Sequence, residues 1–304
     1  MIQSVHFQNF RCLRDVKLNL SPLTVLVGPN SSGKTTVLHG LTLPSPSTEN
    51  RWRQDRSLTL SITYTYSKGR SGYVVGQPGQ PGRLSNSHSA QPLTLDLVSL
   101  RQQNVLAAAH QLRPTGDNLT NVFATLTRQQ QGAVARELCR LVPMFSDVDL
   151  QPTADGRHQL RFQDRWNPDL WFAPNQVSDG TMLVLAFIVL QYQNPPADII
   201  TIEEPERALH PYLLEELIQL LRKMTTGEIG KKPVQVVLAT HSAEMLEYVR
   251  PEEVRFLTRS PEDGSVQVNE APTDSTNWQQ VYKEYRESLG SIWLSGSMGG
   301  VPGR

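Results

Sequence analysis

The stretch that decides the fold is Gly28–Thr35, GPNSSGKT, which fits the pattern G-x-x-x-x-G-K-[ST]. It lies between a continuous apolar run, Leu23–Val27, and a helical segment predicted near Lys34–Leu41. Glycines let backbone N–H groups wrap phosphates, and the positive end of the following helix adds to the attraction. This pattern in this context predicts a loop that binds the phosphates of a nucleotide.

Two side chains of this loop carry predicted chemistry. Lys34 is expected to reach the β- and γ-phosphates, and the Thr35 hydroxyl is expected to ligate Mg²⁺. A chance glycine turn is the alternative, which the flanking strand and helix disfavour. The residues assigned to nucleotide binding are Gly28, Pro29, Asn30, Ser31, Ser32, Gly33, Lys34, Thr35 and Thr36.

A second apolar strand, predicted at Ile199–Ile202, ends on the adjacent carboxylates Glu203 and Glu204. Two like charges side by side repel each other, so a bound cation would make the pair favourable. In a phosphate-loop protein such a strand ends in a carboxylate that holds Mg²⁺, and Glu203 is the predicted ligand. Glu204 is the predicted general base for the attacking water. The alternative for Glu204 is a cap on the helix that begins near Pro205.

Two further segments stand beside predicted helices or strands. The sequence VSDGT, Val177–Thr181, precedes an apolar helix predicted at Ser178–Gln191. Ser178 is a good N-cap, which is a sufficient structural explanation, but Ser-x-Gly at a helix start is also an anion site. His241 follows a buried strand predicted at Val234–Ala239, at the edge where α/β proteins bind ligands. A structural role for this histidine is equally open.

The remaining patterns predict an α/β protein with a mainly parallel sheet. Other predicted strands are Ser4–Phe10, Val16–Leu20, Ser57–Ser67 and Leu93–Leu100, and other predicted helices are Asn118–Leu141, Pro211–Met224 and one near Ser242. The segment Lys68–Pro92 is rich in Gly, Pro and Ser, which predicts a flexible excursion between two strands.

Composition limits the function classes. The 304 residues suffice for one large or two modest domains, and a net charge of zero excludes a global field that attracts nucleic acid. The two cysteines, Cys12 and Cys139, form no CxxC pair, so we expect no disulfide framework or zinc site and a cytoplasmic protein. The longest apolar run, Met182–Leu190, is about half of what spans a bilayer, so no membrane partner is expected.

Taken together, these motifs resemble the nucleotide-binding heads of ABC-type ATPases, in the SMC/RecF/OLD-like branch of AAA-family P-loop ATPases. The resemblance rests on the opening HFQNFRCLRDVKLNLSPLTVLVGPNSSGKTT, on VSDGT and on EEPERALHP, and it extends to the ending SIWLSGSMGGVPGR. Within that branch the chain looks most like compact stand-alone bacterial ATPases. The implied fold is a P-loop NTPase, an ABC-ATPase head with a mixed central sheet, an N-terminal antiparallel β-subdomain and an inserted helical and β lid. Residues 1–304 would form a single head, with 1–45 and 171–304 as the nucleotide-binding core and 50–170 as the insertion.

The resemblance also implies a mechanism that involves two copies of the chain. Two heads would form a homodimer around two ATP molecules, so that Ser178 and Gly180 of one copy contact the γ-phosphate on the phosphate loop of the other. Glu204 would be the catalytic base and Glu203 the magnesium ligand, although an aspartate is usual at the position of Glu203.

The resemblance also bears on the roles of further residues. His241 would be the switch histidine, and Arg11 matches an arginine that approaches the nucleotide in related heads. Gln102 or Gln103 is the candidate for the glutamine that such ATPases carry between the phosphate loop and the signature segment. Arg207 stands where such sequences often carry asparagine, and it would face either the dimer partner or solvent.

The implied function is Mg²⁺-dependent ATP hydrolysis at a phosphoanhydride bond by a head that dimerises around ATP. Such a head would regulate a partner, namely a separately encoded nuclease or toxin, or act on DNA, in genome maintenance or antiviral (phage) defence. The alternative is an ATP-gated DNA-binding clamp with hydrolysis as its timer. The cations proposed for a DNA groove are Arg51, Arg53, Arg56, Lys68, Arg70 and Arg83.

Overall fold

The computed structural model describes residues 1–42, 50–67, 69–80, 83–85 and 88–296. The strands are β1 (Ile2–Phe10), β2 (Leu13–Asn19), β3 (Leu23–Val27), β4 (Leu60–Tyr66), β5 (Ser71–Gly76), β6 (Arg83–Ser85), β7 (Ala90–Leu93), β8 (Phe145–Pro152), β9 (His158–Asp164), β10 (Trp171–Phe172), β11 (Ile199–Glu203), β12 (Gln235–Thr240), β13 (Val254–Arg259) and β14 (Val266–Glu270). The helices are α1 (Lys34–Thr42), α2 (Leu119–Thr125), α3 (Arg128–Leu141), α4 (Asp179–Leu190), α5 (Tyr212–Thr226), α6 (Ala243–Leu246), α7 (Thr276–Glu284) and α8 (Leu289–Leu294).

The chain forms two compact units. The first unit comprises Met1–Pro92, Ala197–Glu206 and the described residues from Val234 onwards, and the second comprises Leu93–Pro196 and Arg207–Pro233. The assignment of residues 50–170 as an inserted lid stays a prediction.

The first unit contains a mixed six-stranded sheet in the order β14-β13-β3-β12-β11-β7. Strands β11, β12, β3 and β13 are parallel, and β14 runs antiparallel to β13. The register pairs Glu203 with Ala239 and Thr240 with Val27. The carboxyl ends of three parallel strands therefore meet at one edge, where ligands bind in α/β sheets.

The same unit contains the predicted N-terminal antiparallel sheet, in the order β2-β1-β4-β5-β6. Along β1 and β2, one or two exposed or half-buried side chains separate the buried ones, as expected for strands with one covered face. The buried Tyr64 of β4 donates from its hydroxyl to the Gly40 carbonyl of α1 at 2.8 Å. Phe7 and Phe10 of β1 are fully buried in the core that includes Val37 and Leu41 of α1.

The prediction of a flexible excursion at Lys68–Pro92 is wrong, because β5, β6 and most of β7 lie in it. Strand β5 pairs with β4, and the neighbouring strand supplies hydrogen bonds that composition does not reveal. Gly72 illustrates the point, since a Cβ there would lie 2.9 Å from the Ser85 carbonyl and 3.0 Å from the Tyr66 hydroxyl. A glycine inside a strand can thus mark close packing. Residues 68, 81, 82, 86 and 87 of this segment lie outside the described residues.

Two other element predictions also fail locally. Strand β7 ends at Leu93, and Asp96 accepts a hydrogen bond from the Ser99 N–H at 2.7 Å before a 3₁₀ turn, so no strand reaches Leu100. The helix predicted at Asn118–Leu141 is two helices, α2 and α3. Thr127 interrupts it by forming a capping box with Gln130, which starts a new helix.

The second unit packs α2, α3 and α5 on α4 and contains the sheet β10-β9-β8. Every residue of α4 from Gly180 to Leu190 is buried, as its apolar sequence predicts. Helix α5 begins after Pro211 and ends at Gly227, whose φ of 78° is the left-handed conformation of a helix C-cap. Among the described helices, none has the length and apolar character to cross a membrane.

Candidate active site

The phosphate loop connects β3 to α1 and has a backbone that its glycines permit. Gly33 has φ 106°, and Ser31 has φ 63°. A Cβ on Gly28 would lie 2.4 Å from the Leu257 carbonyl oxygen, so only glycine fits there. The buried Ser32 hydroxyl has no hydrogen-bond partner among the described residues. The loop is thus a tight backbone cradle with one buried polar atom left unsatisfied.

Lys34 lies at the start of α1 and folds back onto this loop. Its Nζ donates to the carbonyls of Gly28 at 2.7 Å and Pro29 at 2.9 Å. Burial lowers the pKa of Lys34, and the charges of Glu204 and Glu203 oppose that shift. The ammonium group is therefore held at the loop, among carboxylates, where phosphates are predicted to bind.

The two predicted magnesium ligands are in contact. The Thr35 hydroxyl donates a short hydrogen bond to Oε1 of Glu203, the last residue of β11. One hydroxyl and one carboxylate form a set of hard oxygen donors of the kind that Mg²⁺ prefers. The chain brings these atoms together across 168 residues of sequence because β11 and the loop after β3 end at the same sheet edge.

Glu204 and His241 form a second pair at this edge. His241 Nδ1 lies 3.2 Å from Glu204 Oε1, and both side chains are about half exposed. Glu204 has φ 47°, a left-handed conformation that is uncommon for glutamate, and its N–H donates to the Ala239 carbonyl at 2.8 Å. That bond from Glu204 to the end of β12 fixes the turn which aims the carboxylate. Residues held in such conformations cluster at functional sites.

A third carboxylate, Glu206, also belongs to this cluster, although the sequence motifs did not single it out. Its Oε1 accepts a hydrogen bond from the Thr240 hydroxyl at 2.5 Å, and its buried Oε2 has no partner in the described part of the chain. Burial raises the pKa of Glu206, and the Thr240 hydrogen bond opposes that shift. Thr240 Oγ1 in turn accepts from the Ser242 N–H at 2.9 Å, so this chain of bonds braces the turn that carries His241. In the sequence, Glu206 is the last residue of the motif EEPE, two positions after the adjacent pair Glu203 and Glu204.

Arg11 lies on the β1–β2 turn, beside α1. Its Nε donates to Asn50 Oδ1 at 3.0 Å, and its guanidinium carbon lies 5.7 Å from the centre of the Phe10 ring. The Arg11 charge contributes, after burial, to a lowered pKa of His39 in α1. The expected role of Arg11 at the nucleotide stays a prediction.

The signature segment belongs to the second unit. Ser178 is the N-cap of α4, accepting from the Thr181 N–H at 3.2 Å, and it is exposed. A Cβ on Gly180 would lie 2.9 Å from the Ala208 carbonyl, which explains the glycine by packing. Arg101, which the sequence did not suggest, donates to the Val177 carbonyl at 3.0 Å and pairs with Asp179 at 2.8 Å. One arginine thus fixes the segment on both sides of Ser178.

The candidate glutamines, Arg207 and one of the proposed DNA-binding cations differ in exposure and in hydrogen bonding. Gln102 and Gln103 are exposed, and Gln103 donates to Gln159 Oε1 at 3.1 Å. Arg207 is exposed. Of the proposed DNA cations, Arg51 is 5% exposed and donates to the Gly76 and Gln77 carbonyls, so it stabilises the fold instead of facing a groove.

Two protein-family models match the chain. Residues 1–88 match an "AAA ATPase domain" model, and residues 126–247 match a model described as "AAA domain, putative AbiEii toxin, Type IV TA system". A protein called OLD nuclease from Thermus scotoductus is 51% identical over 338 aligned positions, which cover 86% of this chain. Both models describe AAA-type ATPase domains, and this chain is similar to them over residues 1–88 and 126–247. The aligned part spans 63% of that relative's length.

The fold of this chain is similar to that of solved SMC heads. An SMC head bound to the C-terminal winged-helix domain of ScpA has a TM-score of 0.56 at 14% identity, covering 90% of this chain and 99% of that one. An SMC head with an extended coiled coil, bound to the C-terminal domain of ScpA from Pyrococcus furiosus, has a TM-score of 0.50 at 13% identity, covering 94% and 99%. The predicted ABC-ATPase head fold is confirmed.

The residues of the ATPase domain fit a magnesium-bound nucleotide. The described residues contain no group of three or more His, Cys, Asp or Glu side chains that could hold a metal by themselves. Mg²⁺ usually binds through one or two carboxylates together with substrate phosphates, which matches a site made of Thr35 and Glu203 alone. The phosphate oxygens would accept hydrogen bonds from the loop N–H groups, from Lys34 and from the Ser32 hydroxyl, which has no partner among the described residues.

Proposed function

We propose that this domain binds Mg²⁺-ATP at Gly28–Thr35 and hydrolyses the bond between the β- and γ-phosphates. The observation that carries the proposal is the hydrogen bond between Thr35 and Glu203. It brings the two predicted magnesium ligands together beside the loop that holds Lys34. A fold-stabilising role alone does not explain why a hydroxyl, a lysine and three glutamates gather at one sheet edge.

The charges of the site support the proposal of a bound metal. Glu203, Glu204 and Glu206 all act on Lys34, so carboxylates outnumber the lysine before a nucleotide adds its own negative charge. Bound Mg²⁺ would neutralise phosphate charge and orient the phosphate oxygens. Lys34 would exchange the Gly28 and Pro29 carbonyls for phosphate oxygens, keeping its charge inside the loop.

Glu204 is the proposed proton acceptor for the attacking water. Its carboxylate ends at the sheet edge next to the proposed metal ligand Glu203, and His241 lies within hydrogen-bond distance. A general base must reach the proton that it removes, and this pair leaves one carboxylate oxygen free for water while His241 orients the other. The Glu206–Thr240 bond keeps the His241 turn in place.

We further propose that turnover takes place in an ATP-dependent homodimer. Exposed Ser178, at the N-terminus of the twelve-residue helix α4, would contact the γ-phosphate bound to the other copy. Gly180 is buried against the Ala208 carbonyl, and its contact with the γ-phosphate stays a prediction. Rigid support from Arg101 suits a segment that has to meet a second copy in a fixed conformation.

The ATPase cycle would regulate a nuclease or toxin partner in the cytoplasm, as part of genome maintenance or phage defence. The support is that one matching relative is named a nuclease and one matching family model is described with a toxin–antitoxin system. Both cysteines, Cys12 and Cys139, are free, which suits a reducing compartment. Direct action on DNA is the competing outcome, and it predicts ATP-dependent duplex binding that falls steeply with salt.

The test is Glu204→Gln. We expect ATP binding to be retained, turnover to fall about 10²- to 10⁴-fold, and ATP-bound dimers to accumulate in size-exclusion chromatography with light scattering. Glu228→Gln, an exposed glutamate of the second unit, is the matched control and should keep wild-type turnover. A Glu204→Gln protein that hydrolyses ATP at the wild-type rate would sink the assignment.

A further inference from the structure

The hairpin of β13 and β14 forms a wall along the outer side of the phosphate loop. A Cβ on Gly28 would meet the Leu257 carbonyl of β13 at 2.4 Å, and a Cβ on Gly33 would meet Val266 of β14 at 2.6 Å. Both loop glycines therefore lie directly against this hairpin. Ser31, between them, is the loop residue that adopts a left-handed conformation without being glycine.

Arg259, at the end of β13, connects the hairpin to this strained residue. Its Nε donates to the Ser31 carbonyl at 2.7 Å, and its Nη1 donates to the Gly264 carbonyl at 2.7 Å. Hydrogen bonds from a charged donor are stronger than neutral ones. A left-handed conformation is strained for a residue other than glycine and persists only when its surroundings hold it. The guanidinium supplies such a hold on Ser31.

The hydrogen bond from Arg259 to the Ser31 carbonyl also sets the orientation of the Ser31–Ser32 peptide plane. In a trans peptide the C=O of Ser31 and the N–H of Ser32 point in opposite directions. Arg259 binds the carbonyl from the hairpin side, which turns the Ser32 N–H toward the other side, where it donates to the Pro29 carbonyl at 3.2 Å. A bound phosphate oxygen would replace that carbonyl as the acceptor of the Ser32 N–H. An inward N–H is the group with which such a loop binds phosphate.

The far end of the hairpin is itself anchored. Asp263, in the β13–β14 turn, accepts from Arg14 Nη1 at 2.9 Å and from the Ser265 N–H at 2.9 Å, and its carbonyl accepts from Arg53 at 3.0 Å. Arg259 therefore connects the loop to a turn whose position is fixed from the N-terminal sheet side. Among the described residues, Arg14 bonds to Asp263 of this turn and not to the phosphate loop, which makes it a useful control.

We propose that Arg259 is a positioning residue of the phosphate loop, holding the Ser31–Ser32 peptide in the orientation that receives nucleotide phosphates. The inference rests on the proposed nucleotide binding at Gly28–Thr35. Because Arg259 acts on the loop and not on the water or its base, its loss weakens ATP and ADP binding alike and leaves the chemical step unchanged.

The experiment compares Arg259→Gln, Arg259→Lys and the control Arg14→Gln by calorimetric titration with ADP and with ATPγS, each with Mg²⁺. For Arg259→Gln we expect Kd to rise about tenfold for both nucleotides, the size of one lost charge-assisted hydrogen bond. Arg259→Lys keeps one charged donor and should lie between wild type and Gln. Turnover at saturating ATP should stay within about twofold of wild type, and Arg14→Gln should keep the wild-type Kd.

Each outcome decides the proposal. An unchanged Kd for Arg259→Gln overturns it, and so does an equal rise for Arg14→Gln, which would show a general loosening of the turn. If circular dichroism shows that Arg259→Gln does not fold, Arg259→Lys decides, with a raised Kd in support and an unchanged Kd against. Wild-type protein that binds neither nucleotide would instead overturn the proposed function itself.

Discussion

The Thr240–Glu206 hydrogen bond gives a sharp quantitative prediction. Thr240 is fully buried, and its hydroxyl donates to Glu206 at 2.5 Å while accepting from the Ser242 N–H. Thr240→Val keeps the shape of the side chain and removes both bonds. Because no water can replace a hydroxyl at a fully buried position, we expect a loss of about 1.5–3 kcal/mol in the free energy of unfolding.

The assay is urea denaturation of the nucleotide-free protein in a double-mutant cycle of Thr240→Val with Glu206→Met. Two residues in direct contact should give a coupling of about 1 kcal/mol or more, smaller than the whole effect of Thr240→Val because the Ser242 N–H bond survives in Glu206→Met. Thr225→Val is the matched control, since in the described part of the chain the hydroxyl of buried Thr225 donates only to the Arg222 carbonyl of its own helix. That control should change the free energy of unfolding by about 0.5 kcal/mol or less.

The same variant has a functional consequence. If the bond braces the turn that carries His241, Thr240→Val lowers kcat while the Kd for Mg²⁺-ATP stays near wild type. Additive stability effects in the cycle, within about 0.5 kcal/mol, would refute the idea that these two side chains hold the turn together.

Two further predictions follow from burial and capping. Burial raises the pKa of Glu206 above its usual 4.5, so the folded state binds the Glu206 proton more tightly than the unfolded chain does. The free energy of unfolding therefore falls as pH rises from 4.5 through the raised pKa. Glu206→Gln should flatten this part of a pH series of urea midpoints, and a wild-type slope in the variant would contradict the assignment. Ser178→Ala removes the N-cap of α4 and should cost about 1 kcal/mol of stability, and it should also lower turnover in the ATP-bound dimer. Ser178→Asn keeps an equally good cap. It should lose turnover as well only if the serine hydroxyl itself contacts phosphate.

The parts of the fold and site that follow from local sequence were predictable. The phosphate loop between β3 and α1 is a contiguous pattern, and Glu203 is readable because an apolar strand ends there. The buried helix α4 and its cap, Ser178, are likewise visible in consecutive letters.

What the sequence hid are contacts between residues far apart in the chain. Arg259 reaches Ser31 across 228 residues, and Thr240 reaches Glu206 across 34, so no spacing rule reveals either bond. The strand β5 was missed for the same reason, because its pairing with β4 outweighs the weak strand preference of a segment rich in Gly and Ser. Arg51 looked like a surface cation, but it is buried against backbone carbonyls.

The most direct test of the central claim is a calorimetric titration of the wild-type domain with ATPγS, with Mg²⁺ and with EDTA, beside Lys34→Ala and Glu203→Gln. We predict binding to the wild type that strengthens with Mg²⁺, no measurable binding to Lys34→Ala, and binding to Glu203→Gln that no longer responds to Mg²⁺. Wild-type affinity in Lys34→Ala, or an undiminished magnesium response in Glu203→Gln, would contradict the claim that Lys34, Thr35 and Glu203 together form a Mg²⁺-ATP site.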